Sequence, residues 1–244
     1  MEKQFYISVA GLTVEMNYLR EATRFACADY IIDAPVGKAD MIASTNPEKV
    51  EEEVQLAKEP VTRRNAEQLS LFRDIAERVP DFGCFLFHGA SISYDGEAYL
   101  FGALSGTGKT THIKLWMEHL GEKVQIVNGD KPLLRVRKDG VDVCSTPWAG
   151  KEKMQRNCIV PLRAICLIQR GETNHIERVE AKDYMNLVMQ QIYIPRNVKA
   201  LEETLTLLDR VLQTVPVYLL HCNISEDAVR TSFPALTGQP YPEK

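Results

Sequence analysis

The sequence predicts an α/β protein, of the α+β kind, whose core is a mixed β-sheet. The first observation is a pair of β-prone segments, residues 84–93 and 97–103, joined by Asp95-Gly96. This dipeptide suits a two-residue hairpin turn because both positions take positive φ, so the two strands should pair antiparallel. The second observation is that the 97–103 strand runs through a glycine-rich loop into a helical pattern, as in α/β proteins. An antiparallel partner beside such a unit indicates a mixed rather than an all-parallel sheet.

The first part of the chain is expected to form a small N-terminal α/β lobe over residues 1–60, followed by a larger domain over residues 61–244. Short β-prone segments separated by glycine and proline support this lobe, and an acidic run at 48–53 is most simply a solvated surface without a partner. The elements predicted for the lobe are strands at 5–10, 12–16 and 41–43 and a short helix within 18–28.

A helix is predicted to connect the lobe to the larger domain. Thr62 can cap its start, and Pro80 stops it. Apolar residues between these two positions recur at the spacing of one helix face. That face consists of Leu69, Phe72, Ile75 or Ala76, and Val79.

Beyond the glycine-rich loop, helical and β-prone patterns alternate to the end of the chain, with Ser225 as a candidate cap for a last short helix. A second hairpin should turn at Lys138-Asp139-Gly140. The predicted elements are a helix at 110–119, strands at 123–127, 132–137, 141–145 and 164–169, helices at 181–192 and 201–212, and a strand at 217–220.

The overall composition is that of an ordinary globular protein and argues against two classes of partner. Of the 244 residues, 45% are hydrophobic and 25% charged, and the net charge is −4. This net charge argues against a nucleic-acid binder, which requires a basic face, and leaves local basic patches open. No apolar run is long enough to cross a bilayer, and the N-terminus has no charged-then-apolar leader, so we expect a cytoplasmic protein without membrane contact. Its six scattered cysteines are expected to be buried free thiols.

The glycine-rich loop has the composition of a phosphate-binding loop. Gly102, Gly106 and Gly108 allow backbone N–H groups to turn toward phosphate oxygens, and the N-terminus of the following helix adds positive potential. The usual pattern begins with glycine where this chain has Ala103, a residue nearly as small. The alternative is a glycine-rich turn without a ligand. The predicted nucleotide-binding residues are Ser105, Gly106, Thr107, Gly108, Lys109, Thr110 and Thr111, with Lys109 on the β- and γ-phosphates and Thr110 on Mg²⁺.

Two further residues are candidates for the same site. Asp130 lies at the tip of the strand that follows the loop helix, where nucleotide-binding proteins place a carboxylate on Mg²⁺ or on the attacking nucleophile; the alternative is an ordinary turn residue. His88 lies on the strand before Asp95-Gly96, and the hairpin register places it opposite residues 101–103, beside the loop. It is therefore a metal ligand, a cation facing phosphate or a proton carrier, or else a structural histidine.

Taken together, these motifs carry a resemblance to a known superfamily. His88 before the hairpin, Ser105-Gly-Thr-Gly-Lys-Thr-Thr111 in the loop and Val127-Asn-Gly-Asp130 after it resemble the nucleotide site of the ATP-dependent phosphoenolpyruvate carboxykinases and of HPr kinase/phosphorylase. The resemblance covers roughly residues 84–137. It implies a mixed-sheet, carboxykinase/HPr kinase-like nucleotide-binding core, ATP and Mg²⁺ as cofactors, and catalytic roles for Lys109, His88 and Asp130, with Thr110 and Asp130 on the metal.

The chain departs from this superfamily in two respects. Asp130 is followed by Lys131 where both families have a second acid, which puts a second metal site or one acid/base role in doubt. Carboxykinases are about twice as long and have an arginine-rich substrate lobe, so the HPr-kinase-like type is favoured. Residues 146–151 (Thr-Pro-Trp-Ala-Gly-Lys) resemble a motif of small HPr-kinase-like proteins. Trp148 is expected to pack against the nucleotide or to cover the core. The nearby cations are expected either to neutralise the transferring phosphate or hold an acidic acceptor, or to be solvated surface charges; they are Lys151, Lys153, Arg156 and Arg163.

The leading hypothesis is an ATP- and Mg²⁺-dependent kinase that moves a γ-phosphoryl group to a hydroxyl of a protein, peptide or small molecule, with Asp130 orienting or deprotonating the acceptor. A second hypothesis is a nucleotide-binding regulatory or scaffold protein that transfers nothing. A third, an ordinary P-loop NTPase coupled to a partner, would be supported by a strand before the loop that lies in an all-parallel sheet. The acceptor, the direction of transfer and any homo-oligomer stay open.

Overall fold

In the computed structural model, which describes residues 3–57 and 59–242, the strands form two sheets. The smaller sheet contains β1 (Lys3–Val9), β2 (Leu12–Tyr18), β3 (Ile31–Ile32) and β4 (Met41–Ser44). The larger contains β5 (Cys84–Leu86), β6 (Gly89–Tyr94), β7 (Glu97–Gly102), β8 (Val124–Asn128), β9 (Leu133–Arg137), β10 (Gly140–Cys144), β11 (Ile159–Arg170), β12 (His175–Val179) and β13 (Val217–Cys222). The α-helices are α1 (Glu21–Ala26), α2 (Pro47–Leu56), α3 (Arg63–Ala76), α4 (Lys109–Leu120), α5 (Met185–Met189), α6 (Val198–Thr214) and α7 (Glu226–Thr237).

The small sheet has the order β3-β1-β2-β4 and confirms the predicted N-terminal strands. β1 and β2 form a hairpin that turns through Ala10 and Gly11, both at positive φ. The acidic run at 48–53 is not simply a solvated surface, as predicted, but forms part of α2. Glu53 is buried there because the guanidinium of Arg73 on α3 pairs with its carboxylate. The sequence did not predict this burial because Arg73, the partner of Glu53, lies 20 residues further along the chain.

Helix α3 starts as predicted and joins the two sheets. The hydroxyl of Thr62 accepts a hydrogen bond from the backbone N–H of Asn65 at 3.2 Å. Its apolar side packs in one cluster with the small sheet and with Leu86 and Leu133 of the large sheet. Both sheets therefore share part of a core. The division between residues 1–60 and 61–244 stays a prediction.

The predicted hairpin before the loop is present, and the sheet around it is mixed. Tyr94 pairs with Glu97, and the two turn residues between them, Asp95 and Gly96, have φ of 51° and 78°. β7 lies between antiparallel β6 and parallel β11. The strand before the loop therefore does not lie in an all-parallel sheet, the observation that would have supported the ordinary P-loop NTPase hypothesis.

The large sheet curls because β11 changes its neighbour along one edge. Residues 159–161 of β11 pair antiparallel with β10, and residues 165–170 pair parallel with β13. The part of the sheet before this change continues through β10 and β9 to β5. The predicted strand at 84–93 is correspondingly broken at His88: β5 pairs with β9, whereas β6 pairs with β7 and β8. His88 thus lies at the junction of the two halves of the sheet.

Three smaller predictions were wrong in detail. The helical pattern at 181–192 gives only a 3₁₀ turn and short α5, and the second hairpin turns through Lys138 and Asp139 with Gly140 already in β10. Ser225 precedes α7 without capping it, because its hydroxyl donates to Asn223 Oδ1 at 2.6 Å. Within residues 3–57 and 59–242, no helix has the length and hydropathy needed to span a membrane.

Candidate functional site

Four strands of the large sheet end at the same edge, and the candidate site lies there. β7, β11 and β13 run parallel, and β8 runs the same way because both β7 and β8 are antiparallel to β6. Their carboxyl ends lead, in the order of the sheet, to Asp130 after β8, the loop after β7, Arg170 at the end of β11 and Asn223 after β13. Ligands of open α/β sheets bind at such an edge.

The glycine-rich loop has the backbone that a phosphate cradle requires. Gly106 and Gly108 have φ of 78° and 123°, and a Cβ at either position would meet nothing within 4 Å, so the space around them is open. Gly108 precedes α4, whose first turn has no side-chain cap. The N–H groups of that turn therefore face the loop without a side-chain acceptor. Gly102 has a different function, since it packs in the core beside Leu167.

Lys109 closes the loop on itself. Its Nζ donates a hydrogen bond to the carbonyl oxygen of Ala103 at 2.7 Å, and the side chain is almost completely buried. Burial lowers the pKa of Lys109, and the nearby charge of Lys131 adds to this, while Asp130 acts in the opposite direction. The ammonium is thus held at the loop close to Asp130, in an environment that favours a further anion.

A buried asparagine fixes the turn that presents Asp130. Oδ1 of Asn128 accepts hydrogen bonds from the backbone N–H groups of Asp130 and Lys131 at 2.9 and 2.8 Å. The amide of Asn128 donates in turn to the carbonyl oxygen of Thr146 at 2.9 Å, and the hydroxyl of Thr146 donates to Lys131 O at 2.7 Å. Asn128 and Thr146 are positioning residues that the sequence pattern did not single out as such; both lie in the quoted motifs.

Asp130 contacts two cationic or potentially cationic groups. His88 Nε2 lies 3.2 Å from Asp130 Oδ1, and the Lys131 ammonium pairs with Oδ2. The backbone also ties this junction together, since Gly89 N donates to Asp130 O at 2.9 Å. Burial alone would raise the pKa of Asp130, but the hydrogen bond from His88 and the charge of Lys131 outweigh it and lower the pKa to about 2. Asp130 is therefore ionised at neutral pH.

The segment that follows β10 packs against the back of this turn. A Cβ at Gly150 would lie 3.0 Å from Asp130 Cβ, and Gly129 N donates to Met154 O at 2.8 Å. Lys114 on α4 pairs with Glu152, which ties the segment to the loop helix. The motif at 146–151 is thus part of the site's frame.

Trp148 covers the core rather than a nucleotide, and the cations of this region lie on the surface rather than around a phosphate. The indole of Trp148 stacks on Phe72 of α3 with ring centroids 4.3 Å apart, and its Nε1 donates to Gln68 O. The cations do not form one cluster, because most have separate partners. Lys151 pairs with Glu59, Arg156 with the Gln125 side chain and Arg163 with Glu97; Lys153 lies at the exposed end of the 146–153 segment.

Arg170 is a cation of the site that sequence analysis missed. Its guanidinium donates to the carbonyl oxygens of Gly106 at 2.6 Å and Thr107 at 3.5 Å. The residue reaches the loop because β11 is the parallel neighbour of β7, so the two strands end side by side. Only the strand order could have revealed this, since 62 positions separate Arg170 from Gly108.

The site offers few metal ligands of its own. No group of three His, Cys, Asp or Glu side chains in the described ranges could hold a metal. Thr110 in the first turn of α4 and ionised Asp130 are the oxygen donors of the predicted set. This fits Mg²⁺, which typically takes one or two protein ligands and completes its shell with phosphate and water.

Fold and site together describe a mixed α/β protein with a curled sheet, consistent with a nucleotide-binding fold. No family model and no curated protein matches the sequence. Among solved structures, the HPr(Ser) kinase/phosphatase from Coxiella burnetii is similar at 11% identity with a TM-score of 0.36, over 63% of this chain and 93% of that one. A likeness this distant assigns neither activity nor ligand to the chain.

Proposed function

We propose that this protein is a cytoplasmic ATP- and Mg²⁺-dependent kinase of the HPr-kinase-like type, which transfers a γ-phosphoryl group to a hydroxyl of a protein, peptide or small molecule. One observation carries the proposal. The loop that contains Lys109 and the ionised carboxylate of Asp130 meet at the same edge of the sheet. A phosphate cradle beside an acceptor-facing carboxylate is the arrangement that phosphoryl transfer requires.

The loop supplies most of the catalytic effect in this proposal. Backbone N–H groups of residues 105–111 and the Lys109 ammonium bind the β- and γ-phosphates and stabilise negative charge in the transition state. Lys109 exchanges its bond to Ala103 O for phosphate oxygens. When bound, Mg²⁺ neutralises charge on the same phosphates, and Thr110 and Asp130 are the residues that would hold it.

Asp130 orients the acceptor more than it deprotonates it. A carboxylate with a pKa of about 2 is a weak base, so it accepts a hydrogen bond from the hydroxyl without removing its proton beforehand. The acceptor oxygen then bonds to the γ-phosphorus as the bond to the bridging oxygen of ADP breaks. The hydroxyl proton passes late to Asp130 and from there to water. His88 keeps the carboxylate in place through its contact with Oδ1.

The second candidate function, nucleotide binding without transfer, is favoured by one specific contact. The Lys131 ammonium takes Asp130 Oδ2, an oxygen that a kinase needs for metal or acceptor. In this alternative, the protein binds nucleotide as a regulatory or scaffold component, and the Lys131 ammonium stays paired with the Asp130 carboxylate.

Incubation with γ-labelled ATP, Mg²⁺ and libraries of hydroxyl-bearing peptides and metabolites separates the two functions. A kinase labels an acceptor, and both Lys109→Ala and Asp130→Asn abolish the label. Lys199→Ala is the control, since Lys199 lies on α6 with a side chain 83% exposed. Nucleotide binding without transfer to any acceptor or to water would establish the second candidate. Lack of any nucleotide binding would exclude both.

A further inference from the structure

We propose that Gln191 is a positioning residue for phosphoryl transfer, which holds His88, and through it Asp130, in place beside the phosphate loop. The proposal rests on the proposed function, because it assumes that the loop binds the phosphates and that Asp130 faces the acceptor. No motif of the sequence singles out Gln191, which lies two positions beyond the end of α5.

A short segment beyond α5 lies beside the break in the large sheet. Residues 191–193 pair antiparallel with residues 86–88. At the end of this pairing that is nearest to the site, the backbone N–H of His88 donates to the carbonyl oxygen of Gln191 at 2.5 Å. β5 therefore has β9 on one side and this segment on the other, and the segment fixes the backbone of His88 where the strand breaks.

The side chain of Gln191 packs against the strand that enters the loop. A Cβ at Gly102, the last residue of β7, would lie 3.3 Å from Gln191 Cγ. The amide Nε2 donates to the carbonyl oxygen of Leu187 at 3.2 Å, which ties the residue back to α5. Gln191 therefore contacts both sides of the site, because its main chain holds His88 and its side chain lies against β7.

The amide of Gln191 is not explained by stability. The residue is 1% exposed, and Oε1 has no hydrogen-bond partner among the described residues. Only the NH₂ end of the amide can pair with the Leu187 carbonyl oxygen, so the unpartnered atom is the oxygen. A buried polar atom without a partner lowers stability, and an apolar side chain of the same length would not carry this cost. The geometry of the site accounts for the amide instead.

The position of His88 matters because its ring contacts the acceptor-facing carboxylate. His88 Nε2 lies 3.2 Å from Asp130 Oδ1, and the next residue, Gly89, donates its N–H to Asp130 O at 2.9 Å. A shift of this backbone therefore disturbs both contacts of Asp130. The bond of Lys109 that closes the loop is separate from them. Loss of the Gln191 amide should thus slow transfer without weakening nucleotide binding.

Gln191→Met tests this role, because methionine keeps the length and the packing on Gly102 but loses the bond to Leu187 O. With γ-labelled ATP and the peptide or metabolite that the acceptor screen labels, kcat should fall about tenfold and the KM for ATP should stay within about twofold. The melting temperature should change by less than about 4 °C, since one hydrogen bond and one unpartnered oxygen are lost together. Gln213→Met is the matched control: its exposed amide bonds within its own helix, to Asp209.

Hydrogen exchange at the His88 amide provides a second readout that does not depend on activity. In Gln191→Met this amide should exchange about tenfold faster than in wild type, because its acceptor is no longer held. Tyr193→Phe tests the same segment from its other end, where the Tyr193 hydroxyl donates to Glu77 Oε1 at 2.6 Å. Glu77 keeps its backbone donors, so this variant should fold, with transfer reduced about threefold and faster exchange at His88.

The outcomes distinguish this inference from the proposed function. If wild type transfers phosphate, an unchanged kcat in Gln191→Met, or an equal loss of ATP affinity, would overturn the positioning role and leave the kinase standing. Should Gln191→Met not fold, Tyr193→Phe decides: wild-type transfer and wild-type exchange at His88 would overturn the role. Absence of transfer by the wild-type protein to any acceptor would remove the proposed function and this inference with it.

Discussion

Lys109 and Ala103 are joined across the glycine-rich loop by a hydrogen bond of 2.7 Å from the lysine ammonium to the alanine carbonyl. The bond spans six residues and brings the end of β7 and the start of α4 together. It also holds the ammonium at the loop. Because this bond ties the two ends of the loop together, it reduces the ordering needed on binding.

Lys109→Met should remove phosphate binding while largely preserving the fold. The substitution keeps an unbranched side chain of similar length but loses the charge, so affinity for ATP and for tripolyphosphate should both fall about 100-fold. Calorimetry with each ligand provides the measurement. Lys199→Met, at an exposed position of α6, should bind as wild type does. A Lys109→Met protein that retains wild-type affinity would exclude the loop as the phosphate site.

The depressed pKa of Asp130 predicts a stability contribution that acid removes. The pKa is 3.8 in a model compound and about 2 in the folded protein, so the ionised carboxylate stabilises the fold above pH 4. This contribution, about 2 kcal/mol, is lost as the pH falls from about 4 through 2. Urea unfolding of wild type and Asp130→Asn at pH 5, 4, 3 and 2.5 should therefore show a difference in unfolding free energy that shrinks with acidification. A constant difference would mean that His88 and Lys131 do not hold the carboxylate in its ionised form.

The Lys131→Met variant tests whether Lys131 competes with metal for Asp130. Removing the ammonium frees Oδ2 and raises the local negative potential, so a divalent cation should bind about three- to tenfold more tightly. Mn²⁺, a spectroscopic substitute for Mg²⁺, can be titrated into protein saturated with a non-hydrolysable ATP analogue and followed by electron paramagnetic resonance. Lys138→Met, on the exposed turn between β9 and β10, provides the control. Unchanged Mn²⁺ affinity would show that Asp130 is not a metal ligand.

The parts of the fold that could be predicted are those whose signals are local in the chain. Asp95-Gly96 determines its turn through its own φ preferences, and Thr62 caps α3 through a neighbour three residues away. The glycine-rich loop is recognisable for the same reason. Register then extends one such signal to Gly89, which pairs with Gly102, and the chain leaves that pairing at the preceding residue, His88.

What could not be predicted depends on contacts between distant residues. The break at His88 follows from the pairing of β5 with β9, nearly 50 residues later, and Glu53 is buried because Arg73 neutralises it. Arg170 reaches the loop only through the order of the strands. The sequence identifies candidate site residues near the loop, but the order of the strands determines which of them lie at the same edge of the sheet.

Gly150→Ala should impair the position of Asp130 without affecting the phosphate loop. Gly150 has φ of 77°, and a Cβ there would lie 3.0 Å from Asp130 Cβ and 3.2 Å from Cγ, which is tighter than nine in ten real Cβ contacts. We expect Asp130 to give way by a few tenths of an ångström, and such a displacement of an orienting group should reduce phosphoryl transfer about tenfold. Tripolyphosphate affinity should stay within about twofold of wild type, because the loop is not altered.

Gly238→Ala is the matched control: its φ of 72° imposes the same backbone strain, but nothing lies within 4 Å of its Cβ. Transfer rates measured with γ-labelled ATP and an identified acceptor, beside the melting temperature of each variant, separate strain from displacement. If both variants lose stability equally and only Gly150→Ala loses transfer, Asp130 acts through its position; equal transfer rates would remove it from the mechanism.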